Sequence, residues 1–274
     1  MQPIVSFYDL AERCLLEPSI ESKLAVTDEA AVLMTAGQLD FTTLARPPLP
    51  TSAVRFPDQP RQVPPRDLPR RRLNSREGRV AFLHAVAHIE FTAILLAWDM
   101  AYRFRDMPED FQRDWLGVAV EEARHFRALS RRLAAWGACY GDLPAHGGLW
   151  SVAETTAGDV LHRLAVVPRF MEARGLDVTP AMIEKLAGLG DDESIAVLEL
   201  ILREEIGHVA LGSRWFFRVC DERDLDAETE YFALITQYVA GEARGPFNRQ
   251  ARLQAGFSER ELKRLNDSLV SGRA

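Results

Sequence analysis

The sequence predicts an all-α protein: a four-helix bundle flanked by further helical segments. Two observations carry this prediction. After Ser75 the chain runs in long stretches with apolar residues at helical spacing and few helix breakers. The first two stretches are joined only by Asp106, Met107 and Pro108, a connection so short that the two helices must be antiparallel neighbours.

Four long helices are expected in the bundle, and apolar periodicity places them at 77–105, 109–137, 151–174 and 192–220. Gly175 is expected to end the third helix, and Thr179 followed by Pro180 to start a short helix before the fourth. The segment CYGDLPAHGGLW between the second and third helices is long enough to allow a crossover.

Segments with different compositions surround the bundle, which we place at 76–222. Residues 1–45 are expected to form a short helical segment, 46–75 a proline- and arginine-rich arm, and 223–274 a C-terminal extension of two helices broken around Gly245 and Pro246. The basic stretch from Arg66 to Arg79 at the end of the arm is more typical of a solvated surface than of a nucleic-acid site.

Composition limits the function classes. The 274 residues are 47% hydrophobic, enough for a substantial core, and their net charge of −7 argues against a DNA-binding or membrane-surface protein. RNA is disfavoured for the same reason, although the arginine stretch leaves it open. The three cysteines, Cys14, Cys139 and Cys220, are widely separated, which fits a reducing cytoplasm. Neither a signal peptide nor an apolar run long enough to span a bilayer is expected.

Two glutamate–histidine pairs carry the chemistry. Glu122 precedes His125 by three residues in EEARH, and Glu205 precedes His208 by three residues in EEIGH. Residues three apart lie on one helix face. The first pair lies in the middle of the second bundle helix and the second pair in the middle of the fourth.

A dimetal site in a bundle requires such a pair from each of two helices and one inward glutamate from each of the other two. Glu90 interrupts an apolar stripe of the first helix, and Glu172 lies near the end of the third. The spacing from Glu90 to Glu122 is 32 residues and that from Glu172 to Glu205 is 33, as two matching helix pairs require. Pro168, one turn before Glu172, is expected to kink the third helix.

This ligand set predicts two metal ions, because four buried carboxylates are tenable only when cations neutralise them. Oxygen and imidazole nitrogen donors favour iron, with manganese or a mixed manganese–iron pair as alternatives, and zinc is not excluded by ligand type. Glu121 and Glu204 are expected to accept hydrogen bonds from the outer nitrogens of the histidines. His84, His88, His146 and His162 are expected to have structural roles.

At these residues the sequence resembles a bacterial ferritin-like family catalogued as domain of unknown function 455. The resemblance covers most of the chain and implies a ferritin-like bundle with a dimetal site. More distantly, the ligand pattern is similar to that of ferritin-like diiron proteins, including tRNA hydroxylases that act on a prenylated adenosine, which is a likeness of fold only. The similar stretches are PRDLPRR, HAVAHIEFTAILLAWD, EEARHF, YGDLPAHGGLW, RLAVVPRFMEARGLDVTP, EEIGHVALGSRWF and PFNRQAR.

Three hypotheses for function follow. In the first, the protein is a diiron oxidase or hydroxylase that uses dioxygen to oxidise a small organic substrate and receives electrons from an external donor, because no cysteine-ligated redox centre is encoded. In the second, it oxidises or handles iron without an organic substrate. In the third, the metals only stabilise a scaffold whose extensions bind a partner. The extensions could also form a homodimer.

Overall fold

The computed structural model describes residues 4–42, 46–68, 72–239 and 245–271. The chain is all-α, as its sequence predicts, and within these ranges one short parallel strand pair, Val5–Ser6 (β1) with Leu39–Asp40 (β2), interrupts the helices. The helices are α1 (Phe7–Leu16), α2 (Ile20–Thr35), α3 (Arg76–Arg103), α4 (Glu109–Ala135), α5 (Gly148–Thr155), α6 (Val160–Val166), α7 (Ala173–Ala187), α8 (Asp192–Glu222), α9 (Ala227–Val239), α10 (Arg249–Gln254) and α11 (Glu259–Ser271), with short 3₁₀ turns at Thr51–Ala53 and Pro65–Asp67.

The chain divides into two compact units, Met1–Glu154 and Thr155–Ala274. In the first unit α3 and α4 pack against each other along their length, and α1 and α2 cover them. Trp98 of α3 is fully buried, and its indole nitrogen donates a hydrogen bond to the Thr27 hydroxyl at 3.0 Å. The Phe7 ring stacks on the same indole, with ring centres 5.7 Å apart. The amino-terminal helices are therefore part of the core of this unit.

The described part of the proline-rich arm, 46–68, is held to the rest of the first unit by hydrogen bonds along its length. The Leu49 amide donates to the Tyr102 hydroxyl at 2.9 Å, and that hydroxyl donates to Glu12 at 2.8 Å. Further along, the Val63 amide donates to the Ala145 carbonyl at 2.8 Å. Because prolines cannot supply such donors, the few remaining amides of the arm fix its path.

The expectation that the chain has no apolar run long enough to span a bilayer is corrected by helix α3. With 28 residues, this helix is long and apolar enough to cross a membrane. However, 72% of its most apolar 18-residue window is buried inside the protein. Core helices of soluble proteins show this combination of length and burial, and the other helices of the described ranges do not meet the same length and composition test.

The prediction for the third bundle helix is wrong in three respects. Residues 148–155 form the separate helix α5, and the helix that carries Glu172 starts only at Val160. It then continues through Gly175 and Pro180 to Ala187. Gly175 does not end the helix, because it lacks the positive φ of a helix-ending glycine, which Gly190 has instead (φ +67°).

Between α6 and α7 the helix widens into six residues of π-helix, Val167–Glu172, which we call the π turn. The kink that the sequence predicts at Pro168 therefore takes the form of a π turn. Proline has no amide to donate to the preceding turn, and a π turn is one way in which a helix absorbs that loss without ending.

The C-terminal segment beyond α8 contains α9, α10 and α11, where the sequence suggested two helices. Two buried arginines join these helices to α7 and the π turn. Arg252 of α10 pairs with Asp177 of α7 at 2.7 Å, and Arg169 of the π turn pairs with Glu261 of α11 at 2.8 Å. All four side chains of these pairs are at most 4% exposed, so the extension is built into the core of the second unit.

Candidate metal centre

Three predicted ligands meet in the first unit. Glu90 lies on α3, whereas Glu122 and His125 lie one turn apart on α4. The short connection of residues 104–108 makes α3 and α4 antiparallel neighbours, which brings the middle of one helix against the middle of the other. Glu90 is 4% exposed, and Glu122 and His125 are fully buried. The sequence therefore places two carboxylates and an imidazole inside the helix pair.

The distances within this cluster are short. His125 Nδ1 lies 3.1 Å from Glu90 Oε2 and 3.4 Å from Glu122 Oε2. Each of the three residues offers a ligand atom, and these atoms lie within 4.8 Å of one another. Such a carboxylate–histidine cluster could hold a metal ion.

The electrostatics of the cluster favour a cation at its centre. Burial by itself would lower the pKa of His125, but the hydrogen bonds and charges of Glu122 and Glu90 outweigh it and raise the pKa to about 11. A buried carboxylate without a neutralising charge would cost several kcal/mol, of order 5 or more in a low-dielectric interior. A divalent metal ion would supply that charge in place of the imidazolium proton, so the donor set fits a transition metal bound through oxygen and nitrogen.

The second unit holds the other three predicted ligands. On α8, His208 Nδ1 lies 3.6 Å from Glu205 Oε1, and their side chains are 3% and 12% exposed. Glu172 is the last residue of the π turn and is half-buried. Glu121 and Glu204, each directly before a ligand pair, are half-buried as well. Their predicted contact with the outer nitrogens of the histidines stays a prediction.

Tyr140 is a residue near this cluster that the sequence did not single out. Its hydroxyl lies 2.9 Å from His88 Nδ1, and its ring stacks on His84 with ring centres 5.2 Å apart. It also contacts Phe91 and Phe126, the residues that directly follow Glu90 and His125. Helical periodicity could not reveal Tyr140, because it lies in the irregular segment after α4.

The remaining histidines make structural contacts, as expected. His84 Nε2 accepts a hydrogen bond from the Gly141 amide at 2.9 Å, and His146 accepts one from the Gly148 amide at 3.2 Å. His162 Nδ1 lies 2.8 Å from the Tyr238 hydroxyl. Together with His88, these residues fix loops and helix ends.

His88 is expected to make the metal-free protein sensitive to acid. Burial lowers the pKa of His88 from 6.5 to about 4. Between these two pH values, His88 is therefore protonated in the unfolded chain but neutral in the folded chain. The contribution of His88 to the free energy of unfolding is complete above pH 6.5 and is lost as the pH falls to 4, by at most about 3 kcal/mol. Urea unfolding between pH 7 and pH 4 should show a shallower loss in His88→Asn; identical slopes would contradict this assignment.

Comparisons with known proteins agree with the resemblance seen in the sequence. The model of a family described as protein of unknown function (DUF455) matches residues 16–263. A Haemophilus influenzae protein described as uncharacterized is 45% identical over 214 residues, which make up 76% of this chain and 74% of that protein. No solved structure matches the chain. With a family match over most of its length and a relative of this similarity, the chain belongs to the DUF455 family.

Proposed function

We propose that this protein is a ferritin-like diiron oxidase or hydroxylase that uses dioxygen to oxidise a small organic substrate. The observation that carries the proposal is the buried cluster of Glu90, Glu122 and His125. Surface glutamate–histidine pairs are common and contribute little, whereas two carboxylates buried around one imidazole keep a net negative charge even when the imidazole is protonated, and a divalent metal ion would neutralise it.

The second half of the proposed centre is inferred from the pattern of the chain. Glu172, Glu205 and His208 repeat the order and nearly the spacing of Glu90, Glu122 and His125. A dimetal carboxylate site uses such a set twice. Two iron ions held by these six side chains are therefore the proposed cofactor, with manganese or a mixed manganese–iron pair as the alternative metals.

Bound iron in a carboxylate-rich site supplies the reactivity toward dioxygen. The residues of the chain hold the metal and control what reaches it. Glu90 and Glu122 provide the negative charge that retains the metal, and the apolar neighbours Phe91 and Phe126 limit the access of water. Electrons must come from an external donor, because the three cysteines are free and belong to no cysteine-ligated cluster. Three free cysteines also support a cytoplasmic location.

The experiment that tests this proposal is anaerobic loading with ferrous iron followed by a pulse of dioxygen. The wild-type protein is expected to consume dioxygen and to develop a transient absorption with two irons oxidised per chain. The Glu90→Ala/Glu172→Ala double variant should stay folded by circular dichroism and lose both signals. A wild-type protein that holds two irons but does not react with dioxygen would refute the oxidase proposal.

Iron handling without an organic substrate is the second candidate, because the buried cluster of Glu90, Glu122 and His125 would bind iron equally well if the iron itself were the substrate. The dioxygen experiment separates the two candidates when ferrous iron is added in excess. An iron-handling protein oxidises many irons per chain, whereas the proposed oxidase stops at two until substrate and reductant are supplied.

A further inference from the structure

The π turn is placed so that its last residue is a proposed metal ligand. It begins at Val167, contains Pro168 and ends at Glu172. A π turn carries one more residue per turn than an α-helix accommodates, so it changes the direction in which the following side chains point. The position of Glu172 therefore depends on what holds the π turn in this shape.

Gly212 of α8 holds one side of the π turn. A Cβ atom built on Gly212 would lie 2.4 Å from Cβ and 2.6 Å from Cγ of Pro168. Carbon atoms normally stay about 3.5 Å apart or more. Only glycine therefore allows the Pro168 ring to lie this close to the backbone of α8.

This contact lies one turn from the proposed ligands on both helices. α7 and α8 are joined by a short turn, with α8 starting at Asp192 after α7 ends at Ala187, so they run antiparallel. Four residues forward from Pro168 lead to Glu172, and four residues back from Gly212 lead to His208. Each step is about one helical turn, or roughly 5–6 Å along the axis. The fit of Pro168 against Gly212 thus sets the height of Glu172 relative to His208 along the two helices.

Arg169 holds the other side of the π turn. Its guanidinium is fully buried, pairs with Glu261 and lies over four aromatic rings, with distances of 4.6–4.8 Å to their centres. The Tyr231 hydroxyl also donates to the Arg169 backbone carbonyl at 3.2 Å. Breaking such a pair leaves a charge buried alone, so the C-terminal helices fix the π turn strongly. The four rings belong to Phe216, Phe217, Tyr231 and Phe257.

We propose that Gly212 and Arg169 are positioning residues for Glu172, which hold the π turn between α8 and the C-terminal helices so that Glu172 can bind the second metal ion. This inference rests on the proposed function, because it assumes that Glu172 is a ligand. It assigns a role to the C-terminal extension: through Glu261, α11 keeps a metal ligand in place although it contributes no ligand itself.

The test is a cobalt(II) titration of the metal-free protein, followed by visible absorption. Gly212→Ala is compared with the matched control Gly207→Ala, which lies on the same helix and whose added Cβ would meet nothing within 4 Å. Wild type and Gly207→Ala should bind two cobalt ions per chain. Gly212→Ala should bind the first ion with unchanged affinity and the second at least ten-fold more weakly. Unchanged binding of both ions by folded Gly212→Ala would overturn the inference.

A second set of variants covers the case in which Gly212→Ala does not fold. Arg169→Met combined with Glu261→Gln removes both charges of the buried pair together, so neither is left alone. This double variant should also bind the second cobalt ion at least ten-fold more weakly, and Arg169→Lys, which keeps the charge but loses the planar guanidinium that stacks on the rings, should have an intermediate affinity. Full affinity in the double variant would contradict the role of Arg169. A wild-type protein that binds fewer than two ions would instead refute the dimetal proposal itself.

Discussion

Glu122→Gln is expected to lower the affinity of the first unit for a divalent metal by about 100- to 1,000-fold. Structural metal sites gain roughly 10–16 kcal/mol from about four ligands, so one ligand accounts for about 2.5–4 kcal/mol. Glutamine keeps the size of the side chain but removes the charge that the metal neutralises. Isothermal titration with cobalt(II) or manganese(II) measures the change directly.

The matched control for this variant is Glu109→Gln on the same helix. Glu109 is exposed and forms a surface ion pair with Arg113, which contributes little. Its replacement should leave metal affinity unchanged within about two-fold. Equal affinities of wild type and Glu122→Gln would show that the buried cluster is not a metal site.

Removal of the metal is expected to destabilise the folded protein by about 4 kcal/mol at a free metal concentration of 1,000 times the Kd. For a chain of this size that shift corresponds to a fall in Tm of roughly 8–16 °C. The physical reason is that Glu90 and Glu122 lose their neutralising cation while they stay buried. Differential scanning calorimetry with and without a chelator measures the fall.

Re-addition of iron or manganese should restore the original Tm, which separates metal loss from irreversible damage. In Glu122→Gln the chelator should lower the free energy of unfolding by only about 0.4–1.4 kcal/mol, because the same free metal concentration is then only about 1–10 times the Kd of the variant. A wild-type Tm that does not respond to chelation would contradict a metal bound within the core.

The bounds of the long helices could be predicted to within three residues for α3, α4 and α8. Each has a regular apolar pattern and begins directly after Ser75, Pro108 or Asp191, residues that favour a helix start. The helix around Glu172 could not be predicted in this way. Local rules treat Gly175 as a helix end and Pro180 as a helix start, whereas packing against α8 keeps the helix intact through both.

In the candidate site, too, the residues in regular helical patterns could be predicted, and those placed by packing of the folded chain could not. Glu90, Glu122 and His125 could be named because they interrupt an apolar face at regular spacing, and the structure brings them together. Tyr140 could not be named, because its contacts depend on the path of an irregular segment. Nor could Gly212, since the close approach of the Pro168 ring that requires glycine arises only in the folded chain.

The most direct test of the six-ligand dimetal centre is the metal content of protein purified without added metals, combined with Mössbauer spectroscopy of an iron-57-enriched sample. The expected result is two irons per chain that are spin-coupled, as two ions sharing carboxylate ligands would be. A content of one metal ion or fewer per chain, or two irons without magnetic coupling, would contradict a dinuclear centre formed by Glu90, Glu122, His125, Glu172, Glu205 and His208.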